Sequence, residues 1–222
     1  ESIAYRFGQQ RMGLQWFVGK SDWDHGPLRD ELVRQVGEQL GEADGVIVFD
    51  PSGFPKSGRE SVGVARQWCG RLGKVDNCQV AVCMGYVSSK EHALVDTRLF
   101  LPQEWTKDKK RRKKAGVPRG VRDRTRHQLC LEMLRLHGGT LPHAWITGDD
   151  EMGRPYWFRR RLDTLDEQYL LAVPSNTQVR DLEVEPPEYS GHGRYPKRSW
   201  TRIDKWVGAI SKRIWSQVDV RD

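Results

Sequence analysis

Two aspartates at the ends of apolar runs are the residues of this sequence best suited to chemistry. Asp50 closes the run 45–49, and Asp149 follows the run 143–147 after a single glycine. Carboxylates at the ends of neighbouring buried strands can converge, because α/β sheets bind ligands there. Such a pair can hold Mg²⁺ together with water and phosphate oxygens, and two ions about 4 Å apart promote phosphodiester cleavage. The alternative is that each aspartate only forms a turn or caps a helix.

Further charged residues surround these two positions. Asp150 and Glu151 are either supporting groups of the site or caps of the following helix, whereas Asp163 and Asp166 fit a helix surface. Lys56 follows Asp50 in the loop 51–58, which is not a Walker A motif. This lysine either contacts a phosphate or belongs to a plain turn.

One basic segment dominates the charge of the chain. Positions 107–126 hold eleven basic and two acidic residues, a local balance of +9 in a chain of net charge +7, so the remainder is slightly acidic. Such a segment favours salt-sensitive binding to a polyanion over a merely solvated loop. The DNA-binding candidates are Lys56, Lys107, Lys109, Lys110, Arg111, Arg112, Lys113, Lys114, Arg119 and Arg122. The aromatic residues that can stack on bases, or instead pack inside the protein, are Trp105, Tyr195, Trp200, Trp206 and Trp215.

The pattern of apolar residues predicts an α/β fold. A strand over 45–50, buried on both faces, should be stopped by Pro51 and Pro55. We expect helices over 3–18, 28–40, 125–137, 156–165 and 199–214, and further strands over 79–87, 93–101, 143–147 and 168–174, with a hairpin at 88–92. The predicted divisions are an N-terminal helical segment 1–43, a core 44–175, and a linker leading into a subdomain 176–222.

Several classes of protein are excluded by composition. Hydrophobic residues make up 37% of the 222 residues, which is ordinary for a folded chain. There is no apolar run long enough to span a membrane and no leader peptide, so we expect a cytoplasmic protein. Four cysteines without a CxxC pair predict reduced thiols, and the histidines show no metal-ligand spacing.

Seven motifs in collinear order carry a resemblance to a known family. They are 50–58, 61–67, 73–79, 101–105, 114–118, 147–149 and 171–177. Between about Trp23 and Trp215 the chain resembles DDE transposases of bacterial insertion sequences, nearest to the insertion sequence 701 family, a relative of the insertion sequence 4 group. The resemblance implies a ribonuclease-H-like mixed sheet flanked by helices, with the start of an inserted subdomain after the core.

The same resemblance implies a catalytic site and its partners. Asp50 and Asp149 would be catalytic and would bind two Mg²⁺ or Mn²⁺ ions, with Asp150 as the rival for the second position. The third acidic residue, a glutamate, would lie beyond residue 222, since Glu183, Glu185 and Glu188 fall in the linker. The implied partners are the terminal inverted repeats and target DNA, with a possible homodimer on DNA in the bacterial nucleoid.

Two functions remain open on the sequence alone. One is a transposase core that cleaves DNA and transfers the freed 3′ end. The other is a DNA-binding remnant or regulator of the same fold, which lacks catalysis because the third acid is missing. A nuclease of this fold acting on RNA or hybrids is a weaker third interpretation.

Overall fold

The computed structural model describes residues 2–211 and 215–216, and its centre is a mixed sheet. Within these residues the sheet has six strands. Five follow the order β2-β3-β1-β5-β6, and β4 pairs with β3 as its third partner. β1 is antiparallel to β3 but parallel to β5, which is in turn parallel to β6. The strands are β1 Val46–Pro55, β2 Ala65–Cys69, β3 Lys74–Val87, β4 His92–Leu99, β5 Trp145–Gly148 and β6 Tyr169–Leu171.

The helices occupy most of the predicted positions. Thr125 begins the helix α6 with a capping box, in which Thr125 and Gln128 satisfy each other's backbone N–H groups. The predicted N-terminal helix is instead two helices, because Gly8 adopts a left-handed φ of 61° between them. The helices are α1 Ser2–Arg6, α2 Arg11–Lys20, α3 Gly26–Gln39, α4 Gln103–Lys107, α5 Lys109–Lys114, α6 Arg126–His137, α7 Asp150–Gly153, α8 Tyr156–Thr164 and α9 Ile203–Ala209.

The core lies between the sheet and the helices α3, α6 and α8. Burying each such side chain contributes about 1.5–3 kcal/mol, so this cluster is the main source of stability. Its members include Val33, Val36, Ile47, Phe49, Met84, Met133, Leu134, Ile146, Phe158 and Leu162.

Polar groups in this core are paired. His137 at the end of α6 lies 3.0 Å from the Asp96 carboxylate of β4, which also accepts hydrogen bonds from Arg98. His137 and Asp96 are both buried. An unpaired charge there would be costly, so the pairing fixes the end of α6 against the sheet.

Strand β1 differs from its prediction in two respects. It continues past Asp50 to Pro55, paired with β3 throughout, whereas its parallel ladder with β5 ends at Phe49. Proline lacks only the N–H, so it fits a position where that group would have no partner. Burial also alternates along β1, with Ile47 and Phe49 buried and Val48 only half-buried, so the prediction of two buried faces was wrong.

The other predicted strands and the hairpin are confirmed with shifted ends. The Ser88 N–H donates to the Glu91 carbonyl at 3.0 Å and closes the β3–β4 hairpin. Strand β2 was not predicted. It forms because β3 extends beyond its apolar part, from Cys78 back to Lys74, and offers an antiparallel edge to Ala65–Cys69.

Past residue 174 the chain leaves the main sheet. The strands β7 Gln178–Val179 and β8 Thr201–Arg202 form a separate antiparallel pair followed by α9. The helix predicted over 199–214 is therefore shorter and begins after Arg202, and Ile214 lies outside the described residues. The Trp206 indole N–H donates to Asp181 at 2.9 Å and connects α9 to the segment that follows β7.

Two further expectations concern the described residues. Cys69, Cys78, Cys83 and Cys130 are free thiols, as predicted. No helix in the described part of the chain is long and apolar enough to cross a membrane.

Candidate metal and nucleic-acid site

The register of two parallel strands brings Asp50 and Asp149 to the same edge. Phe49 of β1 pairs with Gly148 of β5, and each aspartate is the next residue along its strand. Neighbouring strands lie about 4.8 Å apart, so the two carboxylates start from adjacent backbone positions. Both residues remain accessible to solvent, although the Asp149 carboxyl is partly buried. The structure therefore places side by side the two acidic residues that the strand ends predicted.

Asp149 is fixed by the helix that it begins. Its Oδ1 accepts the backbone N–H groups of Glu151 and Met152, each at 3.1 Å, which makes it the N-cap of α7. Gly148 permits this tight turn, because a Cβ there would lie 2.9 Å from the Met152 side chain. The capping alternative is thus true of Asp149, and it does not compete with a role in metal binding because Oδ1 alone accepts both bonds.

The electrostatics of Asp149 show that negative charge accumulates at this edge. Burial raises the pKa of its carboxyl above the usual range, and the helix N–H of Met152 opposes this effect. The charges of Glu151, Asp150 and Asp50 raise the pKa further. A cation bound here would relieve that repulsion, so the donor set fits Mg²⁺ or Mn²⁺.

Asp50 is more open than Asp149. Its Oδ2 accepts a hydrogen bond from the Ser52 hydroxyl at 2.7 Å.

In the described residues no group of three or more histidine, cysteine, aspartate or glutamate side chains is arranged to hold a metal. Two carboxylates at one edge match a site for hard cations that takes its remaining ligands from water and phosphate.

The two acidic residues after Asp149 have other partners. Asp150 pairs with Arg154 one turn later at 3.2 Å, on an exposed surface. Both carboxylate oxygens of Glu151 lie 2.7 Å from Nη1 of Arg126. The Arg126–Glu151 contact joins residues 25 positions apart, so the sequence pattern carried no signal for it.

Lys56 is not beside Asp50, contrary to the sequence interpretation. Because β1 continues to Pro55, Lys56 lies at the far tip of the β1–β3 ladder, about 20 Å along the strand at about 3.4 Å per residue. Asn77 of β3 holds the backbone there: the Lys56 N–H donates to the Asn77 carbonyl at 2.9 Å, and the Asn77 amide donates to the Lys56 carbonyl at 2.6 Å. The turn alternative is the one that the structure favours for this loop.

The basic segment 107–126 forms the short helix α5, followed by a loop that leads to α6. Asp108 begins α5 by accepting the Arg111 N–H at 2.9 Å, and the six residues of α5 are all lysine or arginine. Arg111 and Arg112 turn inward: Arg111 donates to the Arg59 carbonyl at 2.6 Å, and Arg112 donates to the Val121 carbonyl at 2.5 Å. These two arginines therefore support the loops around α5.

The remaining candidates of the segment point into solvent. Lys114 pairs with Glu60 at 2.7 Å, with both side chains about three-quarters exposed, and such a pair is worth little. The other exposed candidates are Lys107, Lys109, Lys110, Lys113, Arg119 and Arg122.

Aromatic residues divide between the interior and the surface. Trp105 is fully buried and donates its indole N–H to the Val64 carbonyl at 2.8 Å, with the Arg111 guanidinium over its ring. It cannot stack on bases in this conformation. Tyr195, Trp200 and Trp215 are exposed, and Trp200 lies against the Arg180 guanidinium.

Comparison with known proteins identifies the family of this chain. The profile of the family described as DDE superfamily endonuclease matches residues 2–222. The chain belongs to the DDE superfamily endonucleases. The mixed sheet flanked by helices is the ribonuclease-H-like arrangement of this superfamily.

One curated relative carries a more specific description. A probable transposase for insertion sequence element IS701 from Microchaete diplosiphon is 25% identical over 183 residues, which are 81% of this chain and 45% of the relative. The chain thus spans less than half the length of this relative. No solved structure matches the present chain significantly.

Proposed function

We propose that this DDE endonuclease chain is a part of a transposase catalytic domain of the IS701 type. Asp50 and Asp149 bind two Mg²⁺ or Mn²⁺ ions. Support comes from the backbone register, in which Asp50 and Asp149 follow the directly paired residues Phe49 and Gly148. It also comes from the raised pKa of Asp149, caused first by burial and then by the charges of neighbouring acidic residues.

The chemistry is cleavage of DNA at the terminal inverted repeats and transfer of the 3′ end to target DNA. The bound metals supply Lewis acidity to the phosphodiester and its nucleophile. Asp50 and Asp149 fix the position of that charge, and the solvent-facing lysines of α5 hold the DNA backbone at other phosphates. We place the third carboxylate after residue 222, because Glu183, Glu185 and Glu188 lie in the stretch beyond the main sheet.

The test is strand transfer by the complete reading frame on its own element ends. We expect Asp50→Asn and Asp149→Asn each to reduce cleavage and transfer about 100- to 1000-fold with Mg²⁺, the scale of losing a group that stabilises the transition state. Asp150→Asn makes the same change in charge next to Asp149 and serves as the matched control, with an effect below about threefold. Full activity of either Asp50→Asn or Asp149→Asn would show that the metal site lies elsewhere.

One observation favours a second function, a DNA-binding protein without catalysis. The described residues contain no cluster of three potential metal ligands. If the complete reading frame binds its element ends but neither cleaves nor transfers with Mg²⁺ or Mn²⁺, this second function is the correct one.

A further inference from the structure

Two consecutive residues at the start of α6 both contact one residue of α7. Arg126 contacts both carboxylate oxygens of Glu151 through Nη1 at 2.7 Å. The His127 ring nitrogen Nε2 lies 2.9 Å from the backbone carbonyl of Glu151. Side chain and backbone of Glu151 are thus held from the same helix turn.

Glu151 in turn holds Asp149. Its backbone N–H donates to Asp149 Oδ1 at 3.1 Å, so any shift of Glu151 changes the direction of the Asp149 carboxylate. A sulfur contact between Cys130 and Met152 at 3.5 Å joins α6 and α7 beneath this point.

The Arg126–Glu151 ion pair is more rigid than an ordinary surface ion pair. The Arg126 side chain is only 15% exposed, and its Nη2 donates to the Gln67 amide oxygen at 3.3 Å. Gln67 is itself fixed, since its amide nitrogen donates to the Cys78 carbonyl at 2.9 Å. Arg126 also lies over the Phe100 ring, 4.8 Å from its centre. A planar guanidinium held on several sides positions its partner more precisely than a flexible lysine would.

His127 is restrained as well. Its ring makes edge contacts with Trp157 and Phe158 of α8, at centroid distances of 5.7 and 5.1 Å. Phe158 is fully buried in the core. The contact from His127 to the Glu151 carbonyl therefore fixes the position of α7 relative to the hydrophobic core.

We propose that Arg126 and His127 are positioning residues for the metal ligand Asp149, acting through Glu151. The proposal rests on the proposed function in assigning a metal to Asp149. Arg126 thereby has a different role from the exposed basic residues before it in the chain, although all of them belong to the same charged segment.

The test measures Mn²⁺ binding to the 222-residue chain by electron paramagnetic resonance, with Mn²⁺ alone. Arg126→Met should weaken Mn²⁺ binding about 10-fold, the usual scale for residues that orient a metal ligand. The sign is diagnostic, because losing a nearby positive charge without loss of positioning would strengthen the binding of a cation. His127→Phe, which keeps the ring packing but removes the nitrogen, should also weaken binding.

Two variants guard against misfolding and nonspecific charge effects. Arg126→Lys retains one nitrogen for Glu151 but not the contact to Gln67, so it should restore part of the lost affinity. Arg154→Met removes an equivalent charge from the exposed pair with Asp150 and should not weaken Mn²⁺ binding. Thermal unfolding of each variant confirms that it is folded.

The outcomes separate this proposal from the proposed function. If Mn²⁺ binding does not depend on Asp149, as tested with Asp149→Asn, the metal site itself is refuted. If binding depends on Asp149 but Arg126→Met binds Mn²⁺ as well as or better than the wild type, the positioning role is refuted and the metal site stands.

Discussion

The carboxyl group of Asp149 is harder to ionise than that of an ordinary aspartate. Burial raises its pKa, and neighbouring acidic residues add repulsion. An acid whose pKa is raised on folding favours the folded state at low pH, and that contribution is lost as pH rises through the folded pKa. At neutral pH the ionised Asp149 carboxylate therefore lowers the free energy of unfolding. We expect this of a metal ligand whose charge is not balanced by a cation.

At this scale we predict that Asp149→Asn stabilises the metal-free chain. Asparagine caps helices about as well as aspartate, so the N-cap bonds to Glu151 and Met152 survive while the repulsive charge is lost. We expect the melting temperature in EDTA at pH 7 to rise by about 2 °C. Differential scanning fluorimetry measures this, and a fall in melting temperature would contradict the assigned repulsion.

The same experiment in Mg²⁺ should reverse the order. The ion stabilises the wild-type chain by mass action but not the variant. Asp150→Asn is the control, because its exposed partner Arg154 contributes little, and it should keep the response to Mg²⁺.

At the scale of elements, the packing of α7 on β6 depends on a residue without a side chain. A Cβ on Gly153 would lie 1.8 Å from the Ala172 carbonyl oxygen, a backbone atom that cannot move alone. The helix that Asp149 caps is therefore pressed directly against the strand after it.

We predict that Gly153→Ala destabilises the fold by about 1–3 kcal/mol, the cost of overpacking. Gly139→Ala is the control, because nothing lies within 4 Å of a Cβ there, and it should change stability by less than about 0.5 kcal/mol. Urea unfolding followed by tryptophan fluorescence compares the two variants. Equal stabilities would mean that α7 can move away from β6 at no cost.

The helix α5 supplies the second element-scale prediction. Lys109, Lys110 and Lys113 are exposed and lie on one short helix. Replacing all three with Gln should weaken binding to every DNA sequence alike. The slope of log K against log salt should become less steep by up to about 2.7, at about 0.9 per phosphate contact.

Fluorescence anisotropy with specific and random duplexes checks this at several salt concentrations. Lys20→Gln, which removes an exposed charge from α2, should leave the slope unchanged. A loss confined to the specific duplex would mean that α5 reads bases rather than phosphates.

The elements with local signals were predictable, and those that depend on pairing across the chain were not. The apolar spacing of α6 is a local signal, so that helix was predicted correctly. Strand β2 carries polar residues at Arg66 and Gln67 and forms only because β3 offers it an edge. The extension of β1 past Pro51 was missed for the same reason.

The candidate site shows the same division. A carboxylate directly after an apolar run is a local signal, and it located Asp50 and Asp149. The position of Lys56 was wrong because it depended on where β1 ends. The link from Arg126 to Glu151 needs α6 and α7 in place, so it became visible only in three dimensions.

For the molecule as a whole, the N-terminal helices contribute little to the core, since Ala4 is the one buried residue among positions 4–21. No residue of α2 is buried, and Tyr5, Phe7, Met12 and Trp16 are each more than 60% exposed. By contrast, Val33 of α3 is 2% exposed and belongs to the core. The cooperative unit should therefore begin after residue 21.

We predict that a chain starting at residue 22 unfolds with a free energy within about 1 kcal/mol of the full chain, because α2 buries no apolar side chain and positions 4–10 bury only the small Ala4. Val33→Ala is the comparison and should cost about 1–3 kcal/mol through the cavity that it leaves. Urea unfolding measures both. A larger loss on truncation than on Val33→Ala would place α1 and α2 within the cooperative fold.

The run of β1 beyond Asp50 has a consequence for solubility. From Asp50 to Pro55 the described strand is paired by β3 alone, and a free strand edge invites addition of a strand from another molecule. Pro51 and Pro55 remove two of the amide donors that such an addition would use. They act as gatekeepers, so the side of the strand next to Asp50 stays open to a ligand without becoming a template for aggregation.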